Sequence, residues 1–473
     1  MEKLKIIFLF IIFSNLILIQ SAPVEDLVKD LPNYPYKRDL YSGYLDTAKP
    51  ERKIFYLFAP SQSESGKDDP LIVWLNGGPG CSGLDTFIAE NGPAVFDVDE
   101  KTIKLNEFSW NKKANVLYLE SPVGVGYSYS TLGKDDLASD DEKSAVDNLA
   151  VMLSFRKKFP EYENNDFYIS GQSYGGIYGP YLATKILEDG TFKSFKGLII
   201  GNGVTDWTLE VAKSLLEFAL GHQLITKDEV DDYYKNCVLS KESLAQNIYK
   251  PYNCLNSISR VKNSLEGLNI YDILRTCPRE QTNDNLTNIF NNKMASTISM
   301  FKKISKLQKQ SLYGEFYDKF NDPDDMDLWP TPCRMSPAST NYFNLDSVKE
   351  ALHAKKDTVW EVCSTDISHY YYMSVKGSIY LYPNILKSGI KVLFYSGDSD
   401  ACVPFTGSIK WIQNLKLPIK SQYDSWVING QVVGYTQEYE GLTYTTIKGT
   451  GHLATGWKRE ECFTMLNKFI KKQ

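Results

Sequence analysis

Six short runs of mostly apolar residues punctuate the chain, each followed by turn-forming residues: "PLIVWLNGG" (70–78), "ANVLYLESP" (114–122), "DFYISG" (166–171), "FKGLIIGNG" (195–203), "IKVLFYSGD" (390–398) and "GLTYTTIKGTG" (441–451). Runs this short, rich in β-branched and aromatic residues and closed by Gly, Asp or Pro, predict strands. Most are continuously apolar, not alternating, which predicts strands covered on both faces. Between several of them lie helical stretches, such as "ASDDEKSAVDNLAVMLSFRKKFP" (138–160), with apolar positions three and four residues apart. Strands alternating with helices imply an α/β fold, a mainly parallel central sheet flanked by helices, whose reactive groups collect at the carboxyl ends of strands. The segment from about 205 to 335 breaks the rhythm. It is rich in helical pattern and polar residues and holds four of the eight cysteines, so it is expected to be a mostly helical, disulfide-stapled insertion, or cap. That divides the chain into a first core part (23–204), the insertion (205–335) and a second core part (336–473).

The amino end has a different pattern. Lys3 and Lys5 precede the apolar stretch "IIFLFIIFSNLILIQSAP", about the length of a signal-peptide core and interrupted by Ser14 and Asn15. Residues 1–22 are therefore expected to be a signal peptide, cleaved near Ser21 or Ala22. Secretion or a lysosomal or vacuolar destination follows, with no membrane association once the leader is gone. Eight cysteines and the sequon Asn285-Leu286-Thr287 agree with an oxidising route, on which Asn285 is expected to be a glycan acceptor. A formal charge of −6, with no basic block on a recognisable binding motif, argues against nucleic acid as partner. The basic stretch "FKKISKLQKQ" (301–310) reads as a solvated helix face.

The third apolar run leads into "DFYISGQSYGG" (166–176), a strand, a Gly-x-Ser-x-Gly turn around Ser173 and then the helical "IYGPYLATKILEDG" (177–190). This is the nucleophile-elbow arrangement of the α/β-hydrolase fold. Gly171 and Gly175 suit it, because the turn is strained and brings backbone close. The pentapeptide also occurs in ordinary glycine-rich turns, so partners in the right order must decide. A serine hydroxyl needs a base, and the chain has only four histidines. His353 in "SVKEALHAKKD", an amphipathic helical run, and His222 in "EFALGHQLI" read as structural. His369 in "SHYYYM" stays as a minor candidate, whereas His452 sits in "KGTGHLATGW", a loop at a strand's carboxyl end, where the base of this fold belongs. The third member should be a carboxylate between them, and "KVLFYSGDSDACVP" offers Asp398 and Asp400. Spacing does not choose between these two, and one of them is expected to stabilise the turn.

Five motifs, "WLNGGPGCSG" (74–83), "ESPVGVGYSYS" (120–130), "ISGQSYGGIYGP" (169–180), "FYSGDSDACVP" (394–404) and "GTGHLATGW" (449–457), together resemble the serine carboxypeptidase family over nearly the whole chain after the leader. The resemblance implies the triad Ser173, Asp400 and His452. It implies an oxyanion hole from the backbone N–H groups of Gly78 and Tyr174, and recognition of the substrate carboxylate by Asn76, Gln172 and Glu90. Trp74 then stands at the border of that subsite or in the core. It further implies disulfides Cys81–Cys363, Cys237–Cys254 and Cys277–Cys333, with Cys402 and Cys462 left to pair or stay free; eight cysteines by themselves allow 105 pairings. Neither metal-ligand spacing nor a phosphate-binding loop stands out, so no cofactor and no metal are expected. The expected partner is a peptide or protein C-terminus, and a homodimer stays open.

Two departures from the family pattern matter. Position 172, before the nucleophile, is Gln where the family usually has Glu. Two carboxylic acids beside a carboxylate substrate require at least one proton, whereas an amide is neutral at every pH and can donate N–H. Gln172 is therefore expected to keep carboxylate recognition and to weaken the acid requirement, leaving Glu90 as the titrating group. The loop "HLATGW" also lacks the proline many relatives carry, which puts the leaving-residue pocket in doubt. The expected activity is a serine carboxypeptidase; an acyltransferase with the same triad and a non-catalytic protective or binding partner are the alternatives.

Overall fold

The computed structural model describes residues 22–206, 213–237, 252–277, 337–374 and 376–471. The leader apart from Ala22, Asn285, the stretch 301–310 and Cys333, with its proposed bond to Cys277, lie outside them.

All six apolar runs are strands. They are β3 (Leu71–Leu75), β4 (Asn115–Leu119), β5 (Phe167–Gln172), β6 (Phe195–Gly201), β7 (Lys391–Gly397) and β10 (Leu442–Ile447). In space they run β4-β3-β5-β6-β7-β10, every pair parallel. Antiparallel strands extend both edges: β1 (Tyr41–Asp46) and β2 (Arg52–Ala59) beyond β4, and β9 (Gln431–Glu438) and β8 (Asp424–Ile428) beyond β10.

Every residue of β3, β4 and β5 is buried, as a sheet covered on both faces demands. Successive residues enter opposite cores. Val73, Ile169 and Leu198 pack with Phe155 of α2 (Asp141–Lys158) and Ile177 of α3 (Gly175–Asp189). Ile72, Tyr168 and Ile199 pack on the other face, with Phe87 of α1 (Gly83–Ala89) and Leu466 of α7 (Arg459–Lys471). Each such side chain contributes roughly 1.5–3 kcal/mol by leaving water. Trp74 belongs to this second core, fully buried and edge-on to Trp110, and so is core instead of subsite border. Cys402 and Cys462 are both free and lie in the cores on opposite faces, which keeps them apart.

Helix α2 shows how local rules agree with the packing. Asp140 caps it by accepting from Lys143 N–H at 2.8 Å, acids fill its first turn and Arg156, Lys157 and Lys158 its last. Between β6 and β7, α4 (Lys213–Gly221), α5 (Lys227–Cys237) and α6 (Tyr252–Leu265) share a third apolar cluster that takes in Ala401. Disulfides join Cys237 to Cys254 and Cys81 to Cys363. Because the six central strands are parallel, the loops after Leu75, Leu119, Gln172, Gly201, Gly397 and Ile447 all leave the same edge of the sheet.

Candidate active site

Ser173 follows β5 directly and has φ of +59°, the left-handed region that costs a non-glycine residue about 1–3 kcal/mol. Backbone bonds hold it there: its N–H donates to Gly201 O at 3.1 Å, and its carbonyl accepts from Gly176 and Val204 N–H at 2.9 and 3.0 Å. The loop after β3 packs against this elbow so closely that a Cβ on Gly77 would lie 2.5 Å from Ser173 Cβ and 2.9 Å from Tyr174 N. Only glycine allows that approach, and it brings the backbone beside Gly78 next to the N–H of Tyr174.

Of the two aspartates after β7, Asp400 is the one that faces His452, with Oδ2 2.7 Å from Nδ1. The same oxygen accepts from Asn202 Nδ2 at 2.8 Å, and Oδ1 accepts from the N–H groups of Cys402 and Val403 at 2.8 and 3.1 Å. A carboxylate acceptor requires Nδ1 to be the donor, which leaves Nε2 of the neutral ring free to take a proton. Asp398 instead accepts from Gly449 N–H at 2.7 Å and so braces the turn. The other histidines are occupied elsewhere: His353 lies just past its helix, Nδ1 against Ser42 O at 3.2 Å, and His222 lies against Phe218 with ring centroids 4.3 Å apart. His369 is exposed, its Nδ1 2.7 Å from Thr365 O.

Gln172, next to Ser173 in the chain, meets Glu90 in a buried pair. Gln172 Nε2 donates to Glu90 Oε1 at 3.3 Å, Thr86 Oγ1 donates to the same oxygen at 3.3 Å, and Thr455 Oγ1 donates to Oε2 at 2.5 Å. Burial pushes the Glu90 carboxyl up to about 7, an effect the Thr455 hydroxyl opposes. Gln172 Oε1 is buried without a hydrogen-bond partner. Asn76 does not bond to either residue; its Nδ2 donates to Ser82 O at 2.8 Å. Ser82 in turn donates its hydroxyl to Glu120, which also receives Trp360 Nε1–H at 3.1 Å and Tyr127 N–H at 2.5 Å. Burial pushes Glu120 up to about 7 as well.

Asn202, Thr455 and Glu120 were not singled out from the sequence. Asn202 and Glu120 are polar residues closing buried strands, a signal open to a closer reading. Thr455 had no comparable mark. Asp400, Cys402 and His452 bring oxygen, sulfur and nitrogen atoms within 4.8 Å of one another, a set that could ligate a metal only by giving up the Asp400–His452 bond.

A serine elbow on one strand end, with an acid and a histidine on the ends of two later strands, defines an α/β hydrolase. A family model described as serine carboxypeptidase matches residues 32–472, and the chain belongs to that family of hydrolases. It is 33% identical over 500 residues to serine carboxypeptidase-like 20 of Arabidopsis thaliana, covering 98% of this chain and 97% of the relative. To serine carboxypeptidase 1 of Hordeum vulgare it is 33% identical over 483 residues, covering 95% and 93%. The fold is similar to that of a prohormone-processing carboxypeptidase of Saccharomyces cerevisiae, with a TM-score of 0.69, 22% identity and 96% of each chain covered. Among the described residues no helix is long and apolar enough to cross a membrane.

Proposed function

We propose that the chain releases single residues from the C-termini of peptides through an acyl-enzyme on Ser173. The observation that carries this reading is the 2.7 Å Asp400–His452 pair on the loops after β7 and β10, at the same end of the parallel sheet as the left-handed Ser173 after β5. Ser173 Oγ attacks the last peptide carbonyl while His452 Nε2 takes its proton. The N–H groups of Gly78 and Tyr174 stabilise the oxyanion, donors of a kind worth roughly 3–4 kcal/mol each. His452 then passes the proton to the leaving amine, the C–N bond breaks, and water enters by the reverse path. Asp400 holds the imidazole in its working tautomer and stabilises the imidazolium.

Asn76, Gln172 and Glu90 would demand a free carboxylate beside the scissile bond. The unpartnered Gln172 Oε1 suggests how. When Glu90 is protonated, a half turn of the Gln172 amide lets Oε1 accept from the Glu90 O–H and turns Nε2–H toward the substrate carboxylate. Substrate binding is then favoured below about pH 7, where Glu90 holds its proton, and weakens above it. The insertion would narrow access to this pocket. The two disulfides support passage through an oxidising secretory route.

Release of the C-terminal residue from a blocked dipeptide, compared with its C-terminal amide across pH 4 to 8, tests the reading, with Ser173→Ala as control. Cleavage of the free acid, lost in Ser173→Ala and much slower on the amide, is expected. Equal cleavage of both would refute carboxylate recognition, and no cleavage at any pH would point to acyl transfer or to a binding role.

A further inference from the structure

We propose that residues 269–275 of the insertion clamp the two loops that carry Asp400 and His452, and that Tyr271 is a positioning residue for His452. The inference rests on the reading of those two residues as acid and base. Their loops leave neighbouring strands, β7 and β10, and loops are the mobile parts of a fold unless something fixes them. Here a third segment does so. Ala401 N–H, next to Asp400, donates to Ile270 O at 2.9 Å, and Ile273 N–H donates to Ser399 O at 3.0 Å. Ser399 Oγ also donates to the buried Asp272 at 2.7 Å. Both neighbours of Asp400 in the chain are thus bonded to the segment.

The histidine loop is held by the same segment. His452 N–H itself donates to Tyr271 O at 2.6 Å. The fit leaves no room at Gly451, where a Cβ would lie 1.9 Å from Tyr271 O and 2.7 Å from Asp272 Cα. The Tyr271 ring packs on the imidazole with centroids 5.3 Å apart and planes at 52°, a normal aromatic pairing distance. Asp400 restrains the imidazole only at Nδ1; the tilted Tyr271 ring beside it limits rotation of the plane. Arg275 extends the clamp, bonded to Asp272 at 3.2 Å and lying 4.3 Å over the ring of Trp457, in the same short helix, Ala454–Trp457, as Thr455. The fold of this segment and the alignment of acid and base are therefore one structure.

The test compares Tyr271→Leu with Tyr271→Phe in the full chain. It measures kcat and KM on the blocked dipeptide and the rate at which an organophosphonofluoridate modifies Ser173. In that modification the Ser173 O–P bond forms, fluoride leaves and His452 takes the serine proton, so the rate reports the base without peptide binding. Tyr271→Leu should lower kcat about tenfold or more, within the range that small misplacements cost. KM should stay within about twofold, modification should slow by the same factor as kcat, and Tyr271→Phe should restore both rates. Undiminished kcat and modification in Tyr271→Leu, or Tyr271→Phe as impaired as Tyr271→Leu, overturns the proposal. If Tyr271→Leu does not fold, Asp272→Asn serves instead: a fall in kcat with KM unmoved supports the clamp, and wild-type kcat refutes it. Modification that survives His452→Ala would overturn the reading of His452 as base and the clamp with it.

Discussion

Two buried acids of the candidate site, Asp400 and Glu90, are held differently. Asp400 receives four N–H donors, two of them backbone groups of its own loop. Glu90 receives two hydroxyls and one amide, all from side chains. A backbone N–H can only donate, so the Asp400 setting is built for a group that only accepts. Hydroxyls and carboxamides can donate or accept, so the Glu90 setting serves either protonation state. The difference teaches that one side of the site is fixed by the chain path, while the other is held by side chains that suit either protonation state, Gln172 among them.

The sharpest way to break this comparison is Asp400→Asn. It keeps the shape but offers His452 an amide that can hold the wrong tautomer, so kcat should fall by about 10⁴ with KM little changed. Steady-state kinetics showing less than a tenfold loss would mean that Asp400 only braces its loop.

The next effect is smaller and lies on the adjustable side. Gln172→Glu places a second acid on Glu90, so below about pH 5 the variant should bind as the wild type does. Between about pH 5 and 7 its KM should rise roughly tenfold more than the wild type's, as like charges and the substrate carboxylate repel one another. A pH profile of KM identical in the two proteins would leave Gln172 as a near-isosteric replacement without consequence.

The last expected effect is on stability and not on activity. Glu90 and Glu120 are raised in the folded protein from the ordinary 4.5 to about 7. The folded state then keeps protons that the unfolded chain releases between pH 4.5 and 7. Stability is full below that window and falls as pH rises through it, by up to about 1.4 kcal/mol per pH unit for each group. Urea denaturation at pH 5 and 7 checks the sign, and Glu120→Gln should flatten the slope by Glu120's share. Flat stability across the window would mean that the hydrogen bonds to these acids offset their burial.

Much of the central architecture was legible from local pattern. Each of the six buried strands is a short apolar run, because a strand covered on both faces has no position where a polar side chain is free. The edge strands were harder to see. In β8 and β9 many side chains face water, so their pattern is only half apolar and competes with loop composition. Likewise Ser173 and His452 could be singled out because glycine-rich turns after strands mark the reactive edge. The choice between Asp398 and Asp400 was not local, since both lie in the same turn and differ only in what crosses the sheet to meet them.

Composition, periodicity and motif order determined the class of fold, the edge of the sheet that carries chemistry and the residue types placed there, because these depend on neighbours along the chain. Only the tertiary structure decided that Asn202 supports Asp400, that Thr455 and Gln172 both bond to Glu90, and that Tyr271 packs on His452. Those pairings join residues 198, 365, 82 and 181 positions apart. Such contacts form only after the sheet has assembled and brought distant loops to one edge, so no local stretch of sequence encodes them.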